Sequence, residues 1–265
     1  ASDVYKRQGQ EHNHEAERVL LTLLDEAPDR PPLITPAAAE FRNALFAIVD
    51  LYMQTRRFEQ AIIRLEEALA RFPDDPRANR VRFRLAEAYR LSIAPPVEVA
   101  TPASGPASPG HSPRQIEARL RRARQLYDEV IAMLEAGDGS RLSEFERTCL
   151  KLSYFYRADC VFDQQTIGEG RGAPDYAEAI RLYDLAASRY RTDPIALSAY
   201  VQMIQCHLRT GDGEQARTTL ERMRWILRAM PEDPNVPRVP GSDKAAWTQY
   251  VAWLGDSPAL RDVER

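Results

Sequence analysis

The chain has 265 residues and a formal net charge of −3 at pH 7, so it lacks the overall positive field that draws proteins to nucleic acid. Its length suits one extended repeat domain or two compact domains, and no apolar run reaches the roughly 18 residues of a membrane-spanning helix. Three cysteines without metal-ligand spacing argue against a disulfide framework, and the lack of sustained strand-like alternation predicts an all-α protein.

The N-terminal sequence, ASDVYKRQ, lacks a helical period and resembles the translated adaptor sequence found at the edges of metagenomic gene predictions. We therefore expect residues 1–10 to be a non-native or disordered segment and the N-terminus to be truncated. Residues 11–27 follow the period of a helix, with Val19, Leu20 and Leu23 on one face. No partner helix precedes this one in the sequence, which also indicates a missing start.

Residues 40–76 hold the clearest pattern in the chain, EFRNALFAIVDLYMQTRRFEQAIIRLEEALARFPDDP. In both halves, apolar residues recur at the i, i+3, i+4, i+7 spacing of an amphipathic helix. Polar residues 54–57 separate the two helices, and Pro73 ends the second. Such a short pair cannot bury both apolar faces alone, so the pattern predicts further helices of the same kind.

The large and small residues of this pair lie at the spacing of the tetratricopeptide repeat signature. The matching positions are Leu45, Ile48, Val49, Tyr52, Ala61, Leu65, Ala68 and Pro73. Leu45 replaces the usual Trp and Val49 the usual Gly. The resemblance implies a right-handed α-solenoid of antiparallel helix pairs.

Residues 76–93 predict the first helix of a second repeat. The following segment, 94–113, is rich in proline, alanine and serine, which cannot bury enough surface to offset the entropy of ordering. We expect it to be a disordered insert between the two helices of this repeat. The second helix is predicted to run from Arg114 to about residue 136, with Pro113 at its start.

Four more helices are predicted at residues 143–166, 175–190, 194–210 and 213–229. Ser143 and Glu146 form a capping box at the start of the first of them. The sequence AIRLYDLAASRYRTDP, which ends at Pro194, mirrors AIIRLEEALARFPDDP, which ends at Pro76, with Ala, Ile, Ala, Arg, Asp and Pro in register. This internal match predicts one helical repeat domain over residues 11–229.

Residues 230–265 are predicted to hold a proline-rich linker, a capping helix at about 243–254 and a frayed tail. The arginine- and tyrosine-rich repeats are also similar to those of bacterial envelope proteins. Examples are the lipoprotein of the outer-membrane barrel assembly machine and the TolA-binding cell-division coordinator. This resemblance would place the chain in the envelope or periplasm, whereas the residues themselves leave the compartment open.

No residue pattern indicates a catalytic, metal or cofactor site. His12, His14 and Glu15 could suggest a metal site, but we interpret them as a polar N-terminal turn. His207 takes a position usually held by tyrosine, and we interpret it as a buried, hydrogen-bonded residue because no Ser or Cys nucleophile is spaced to meet it. We therefore predict a non-enzymatic protein without a metal or cofactor.

Two further residue sets allow both a functional and a structural interpretation. Cys160 and Cys206 take equivalent positions on neighbouring first helices, which would suit a redox pair, but small buried residues are usual there, and Cys149 fits the same packing role. A basic cluster beside the insert would suit docking of an acidic or anionic partner, but a solvated helix face is the simpler interpretation. This cluster comprises Arg114, Arg119, Arg121, Arg122 and Arg124.

The resemblance implies that the first helices of successive repeats line a concave groove that binds a partner. Carrying the signature register along the chain gives two rows of equivalent positions, four residues apart. The first row is Phe46, Phe83, Phe155 and Val201, and the second is Asp50, Glu87, Asp159 and Gln205. The phenylalanines either anchor a partner or pack against the adjacent helix, whereas the acids are expected to reach solvent.

These features predict a scaffold for protein–protein interaction that binds a protein or peptide partner in the groove. The partner segment would be extended or helical, with apolar anchors and Lys or Arg between them. The basic and asparagine residues that hold C-terminal carboxylates in chaperone-binding relatives are missing from both rows, which disfavours binding of chaperone tails. Two alternatives stay open: a self-assembling structural subunit of an envelope complex, and an enzyme whose site the sequence does not reveal.

Overall fold

The computed structural model of the chain describes residues 2–24, 34–35, 38–93, 111–167, 175–230 and 244–261, with side chains over residues 12–260. Over these residues the regular secondary structure is helical and contains no strand, which confirms the predicted all-α class. None of the described helices is long and apolar enough to cross a membrane. The chain separates into two compact units, unit 1 over residues 1–111 and unit 2 over residues 112–265.

Unit 1 is a run of helices in which each one packs on the next along the chain. Their apolar faces meet in a core that includes the fully buried side chains of Leu45, Ile48, Leu65 and Leu85. Ala61 is also fully buried, at a point where a small side chain lets two helices approach closely. The helices are α1 (Ser2–Leu24), α2 (Ala39–Gln54), α3 (Phe58–Arg71) and α4 (Ala78–Leu91).

The first helix, α1, begins at Ser2, well before the predicted start at residue 11. Residues that we expected to lack a helical period are therefore helical. The prediction depended on an apolar stripe, and the sequence SDVYKRQGQE is too polar to carry one. The helix ends at Leu24, and residues 25–33 lie outside the described part of the chain.

Unit 2 repeats the same arrangement over a longer stretch, and each helix from α5 to α9 packs on the next. The last two helices, α10 and α11, both pack on α9, where Val251 and Leu260 are buried. The helices of unit 2 are α5 (Pro113–Glu135), α6 (Glu144–Ile167), α7 (Ala177–Arg189), α8 (Ile195–Arg209), α9 (Gly213–Ala229), α10 (Lys244–Gly255) and α11 (Pro258–Arg261).

The turns inside the helix pairs α2–α3 and α8–α9 are built alike. In each turn a threonine hydroxyl donates to the carbonyl four residues earlier, Thr55 to Leu51 and Thr210 to Cys206. The next residue is left-handed in both, Arg56 with φ 59° and Gly211 with φ +75°. The amide that follows donates to a carbonyl five residues earlier, Arg57 to Tyr52 and Asp212 to His207, at 2.8 Å in both turns. The same geometry therefore reverses the chain direction in each unit.

The turns between successive repeats also share one arrangement, at the two Asp-Pro sequences that match in register. Asp75 accepts a hydrogen bond from the Arg77 amide at 2.8 Å, and Asp193 accepts one from the Ile195 amide at 3.1 Å. A cation on the preceding first helix holds each carboxylate, Arg42 for Asp75 and Lys151 for Asp193. Each aspartate thus fixes the start of a new helix and ties it to the repeat before.

Serine capping boxes begin α5 and α6. The predicted box of Ser143 and Glu146 is confirmed, with the Glu146 amide donating to Ser143 Oγ at 3.2 Å and the Ser143 amide donating to Glu146 at 2.8 Å. Ser112 and Gln115 form a second box, with Pro113 at the first helical position as predicted. The predicted insert at 94–113 therefore overlaps the start of α5, and its residues 94–110 lie outside the described part of the chain.

Candidate functional site

The first helices of unit 1, α2 and α4, share a solvent-facing surface that we call the α2–α4 face. Phe46 of α2 lies half-buried on it, with the Arg77 guanidinium 4.2 Å from the centre of its ring. Arg77 also donates to the Asn43 side chain at 3.3 Å. A guanidinium over a ring keeps the apolar surface of Phe46 close to solvent while adding a cation–π contact.

One turn further along α2, Asp50 is held by arginines from α4. Arg84 Nη2 donates to Asp50 Oδ1 at 3.2 Å, and Arg80 lies at 4.0 Å from the same carboxylate. Arg84 also faces Glu87 at 3.7 Å. The predicted acids of unit 1 are therefore already paired with arginines of the same unit. Arg77 is paired as well, with Asp75 at 3.2 Å, so three arginines face three carboxylates.

Glu87 differs from Asp50 because it is nearly enclosed, with a side chain that is 18% exposed. Burial raises the pKa of Glu87 above its usual value, and the charges of Arg84 and Arg90 only partly oppose that shift. A carboxyl in this position costs more to ionise than one in water. Asp50, with 41% of its side chain exposed, is the acid of this pair that a partner can reach more readily.

Phe83 and Phe155, which the register placed beside Phe46 in the first row, have little accessible surface. Each is only 4% exposed, so both rings belong to the core of their units. The packing interpretation of the phenylalanines holds for these two. An equivalent register position does not guarantee equal exposure, because that depends on how closely the adjacent helices cover it.

In unit 2 the predicted row positions lie on α6 and α8. Asp159 accepts a hydrogen bond from the Tyr183 hydroxyl at 2.7 Å. Burial, together with the charge and hydrogen bond of Asp159, raises the pKa of Tyr183 far above its usual value, so Tyr183 stays a neutral donor. Val201 is half-buried and Gln205 is exposed on α8. Asp159 is thus engaged in packing α6 on α7, whereas Gln205 is open to solvent.

The residues considered for chemistry do not form a reactive site among the described residues. His12 and His14 are exposed, and no group of three His, Cys, Asp or Glu residues in that part of the chain could hold a metal ion. Burial lowers the pKa of His207, and the charge of Asp212 opposes the shift. All three cysteines are buried and outside any disulfide, and burial raises the pKa of Cys206 to about 12, which keeps it a poor nucleophile.

Three arginines of the basic cluster on α5 are paired with acids. Arg121 lies 2.7 Å from Glu117, Arg122 lies 3.6 Å from Glu129, and Arg124 lies 2.5 Å from Glu178 of α7. These ion pairs favour the interpretation as a solvated helix face, with Arg124 also linking two helices.

The sequence analysis missed the arginines of the α2–α4 face, although a signal was present. Arg77, Arg80 and Arg84 follow one another at i, i+3 and i+7, which is the spacing of a helix stripe. The register aligned Asp50 with Glu87, but the contacts join Asp50 to Arg84, one turn earlier on α4. Neighbouring first helices are therefore offset by one turn, and residues at equal register do not face each other.

A family model described as Tetratricopeptide repeat matches residues 42–88, which cover most of α2, all of α3 and most of α4. No curated protein matches the chain at a significant level. The matched stretch is the helix pair that carries the signature residues, together with the next first helix. Residues 42–88 are therefore similar to the tetratricopeptide repeat family, and the helices that pack in consecutive pairs along the chain are consistent with an all-α array of such repeats.

Proposed function

We propose that the chain is a non-catalytic scaffold that binds a segment of a protein partner on the α2–α4 face. Tetratricopeptide repeats are generally protein–protein interaction modules. The observation that carries the proposal is the arrangement at Phe46: a partly exposed ring under the Arg77 guanidinium, next to Asp50 held by Arg80 and Arg84. Aromatic and arginine side chains are the residue types that most often dominate binding energy at interfaces.

The charge of the face favours acidic or amide groups in the partner, and this revises the sequence-based expectation of Lys or Arg. A partner's cation would have to displace Arg84 or Arg80 from Asp50. A partner's carboxylate would instead meet exposed arginine side chains, because Asp75, the acid that pairs with Arg77, is only 4% exposed. In unit 2, Val201 and Gln205 of α8, with Asp159 of α6, are the corresponding candidate positions, of which Gln205 is the most exposed.

Photo-crosslinking from the face itself tests the proposal. A benzophenone amino acid at Ala47, an exposed position on the same side of α2 as Phe46 and Asp50, would be irradiated in a lysate. Mass spectrometry would identify the captured proteins. The same group at Ile63 of α3, which is 63% exposed, serves as the control for general surface capture. We expect a partner that is captured from Ala47 and not from Ile63.

Calorimetric titration of that partner then measures the contacts. Phe46→Ala should weaken binding by more than about 1 kcal/mol, since it removes the apolar contact. Arg80→Glu should weaken binding most at low salt, because it reverses an exposed charge. Ile63→Ala, an apolar truncation elsewhere in the same unit, should leave the affinity unchanged.

The proposal is wrong if the folded Phe46→Ala and Arg80→Glu variants bind the partner with the same affinity as the parent protein. The binding site would then lie outside the α2–α4 face. If the cross-linker captures only further copies of the same chain, the result would instead support the alternative function as a self-assembling structural subunit. Sedimentation at several concentrations would then show an oligomer that the Phe46→Ala variant fails to form.

A further inference from the structure

The last helices of unit 2 carry a second surface, separate from the residues of the α2–α4 face. A pocket of about 250 Å³ lies between α9 and α10. Leu227, Val251 and Ala252 supply its apolar lining, and Arg224, Arg228 and Lys244 supply its charged lining. Among the described residues, those that are charged and line the pocket are all cations, so the pocket favours an anionic group beside an apolar one.

The three cations differ in what they contact. Arg224 is paired with Glu221 at 2.6 Å, and Lys244 Nζ donates to the Met230 carbonyl at 2.8 Å, which occupies it at the end of α9. The Arg228 guanidinium is exposed and has no ion-pair or hydrogen-bond partner among the described residues. Arg228 is therefore the cation of the pocket that is best placed to meet a charge from outside.

Exposed aromatic side chains lie on the two helices of the pocket, each next in sequence to a residue that lines it. Trp225, one turn before Arg228 on α9, is 61% exposed. On α10, Trp253 is 65% exposed and lies 5.7 Å from Tyr250, measured between ring centres. Exposed tryptophans next to an arginine are typical of the central contacts of protein interfaces, where a partner covers them.

We propose that the α9–α10 pocket binds a short acidic segment of a protein partner. One apolar side chain of the segment would rest on Leu227 and Val251, and a neighbouring carboxylate would pair with Arg228. The volume lies below the roughly 300–1,000 Å³ of sites for small molecules, which suits one side chain better than a whole metabolite. An apolar floor and a chain charge of −3 disfavour a nucleic-acid backbone as the occupant.

Selection from a displayed library of random peptides tests this proposal without knowledge of the natural partner. Peptides would be selected on the whole chain and then tested against three variants by fluorescence anisotropy. Arg228→Glu reverses the exposed cation. Ala252→Trp fills the pocket from an exposed position, so that the packing of α10 on α9 is kept. Arg191→Glu is the matched control, because Arg191 is an exposed cation of unit 2 that does not line the pocket.

We expect the selected peptides to share an apolar residue next to Asp or Glu. Their affinity should fall by about tenfold or more in Arg228→Glu and in Ala252→Trp, and should stay unchanged in Arg191→Glu. Circular dichroism would show that each variant keeps its helical content.

Several outcomes would overturn the proposal. These are selection of no pocket-dependent peptide, selection of peptides rich in Lys or Arg, and equal binding of the selected peptides to the Ala252→Trp variant. Two other occupants have their own signatures. A concentration-dependent dimer that Ala252→Trp dissociates would assign the pocket to a second copy of the chain. Binding of vesicles containing phosphatidylglycerol, in the absence of peptide binding, would assign it to a lipid surface.

Discussion

The left-handed turn residue offers a sharp test of the repeat geometry, because Arg56 and Gly211 occupy the same place in two turns. A non-glycine residue in this conformation costs about 1–2 kcal/mol. Replacing glycine by alanine also restricts the unfolded chain, which returns about 0.4–1 kcal/mol. No atom lies within 4 Å of a Cβ built at Gly211, so crowding adds nothing. We therefore expect Gly211→Ala to destabilise unit 2 by about 1 kcal/mol, and Arg56→Gly to stabilise unit 1 by a similar amount.

Urea unfolding with two probes separates the units. The chain's three tryptophans, Trp225, Trp247 and Trp253, all lie in unit 2, so their fluorescence reports that unit, whereas circular dichroism follows helices of both. Gly211→Ala should lower the fluorescence midpoint by about 0.5 M urea. Arg56→Gly should leave the midpoint of the fluorescence transition unchanged. It should move the part of the circular dichroism transition that comes from unit 1 to a higher urea concentration.

The control is Gly139→Ala, at the start of the short 3-10 helix Gly139–Arg141 of the same unit. Gly139 is outside the left-handed region and also has open space around its Cβ position, so this variant should be neutral or slightly stabilising. If Gly211→Ala behaves like Gly139→Ala, the left-handed strain that we assign to this turn is wrong. A rise of the midpoint in Gly211→Ala would be equally contrary to the reasoning.

Four further perturbations test the packing, a turn, the insert and a helix cap. Burial acts to raise the pKa of Asp75, but hydrogen bonds from Arg77 and the charges of Arg77 and Arg42 hold that pKa below its usual value. The ionised Asp75 carboxylate therefore adds stability above about pH 4, and this stability is lost as the pH falls. Asp75→Asn should therefore cost about 1–3 kcal/mol at neutral pH and little in acid, as measured by urea unfolding across pH. Ala61→Leu should cost roughly 1–3 kcal/mol by overpacking a fully buried site, and an unchanged urea midpoint would contradict the close helix contact there. Replacing residues 94–110 by a short Gly/Ser linker should move the thermal midpoint by less than about 4 °C, whereas Ser112→Ala should cost about 1 kcal/mol through loss of the α5 cap.

Local patterns were enough to place the helices and several of their ends. The apolar period predicted α9 at residues 213–229, where it is found, and the box at Ser143 and Glu146 marked the start of α6. The Asp-Pro match predicted a repeat, and the two turns are alike because the amide hydrogen bonds to Asp75 and Asp193 come from residues only two positions further along. Such features depend on neighbouring residues, so a single sequence contains the information.

The candidate site was harder to predict because it depends on how one helix lies against another. Phe46 and Phe83 hold the same register position, yet one is partly exposed and the other is buried. The pairing of Asp50 with Arg84 spans 34 residues and requires an offset of one turn between α2 and α4. Neither the offset nor the depth of cover is encoded in the spacing of residues along a single helix.

The choice of arginine for the α2–α4 face has a consequence for how the protein can be regulated and studied. Of the 36 basic residues in the sequence, only Lys6, Lys151 and Lys244 are lysines. Arginine offers no primary amine, so acetylation cannot remove the positive charges of this face, and methylation of an arginine would keep its charge while blocking bidentate hydrogen bonds. For the same reason, amine-directed labels and cross-linkers would leave the face untouched. A complex formed there would be missed by lysine chemistry and captured by reagents that react with carboxylates or with C–H bonds.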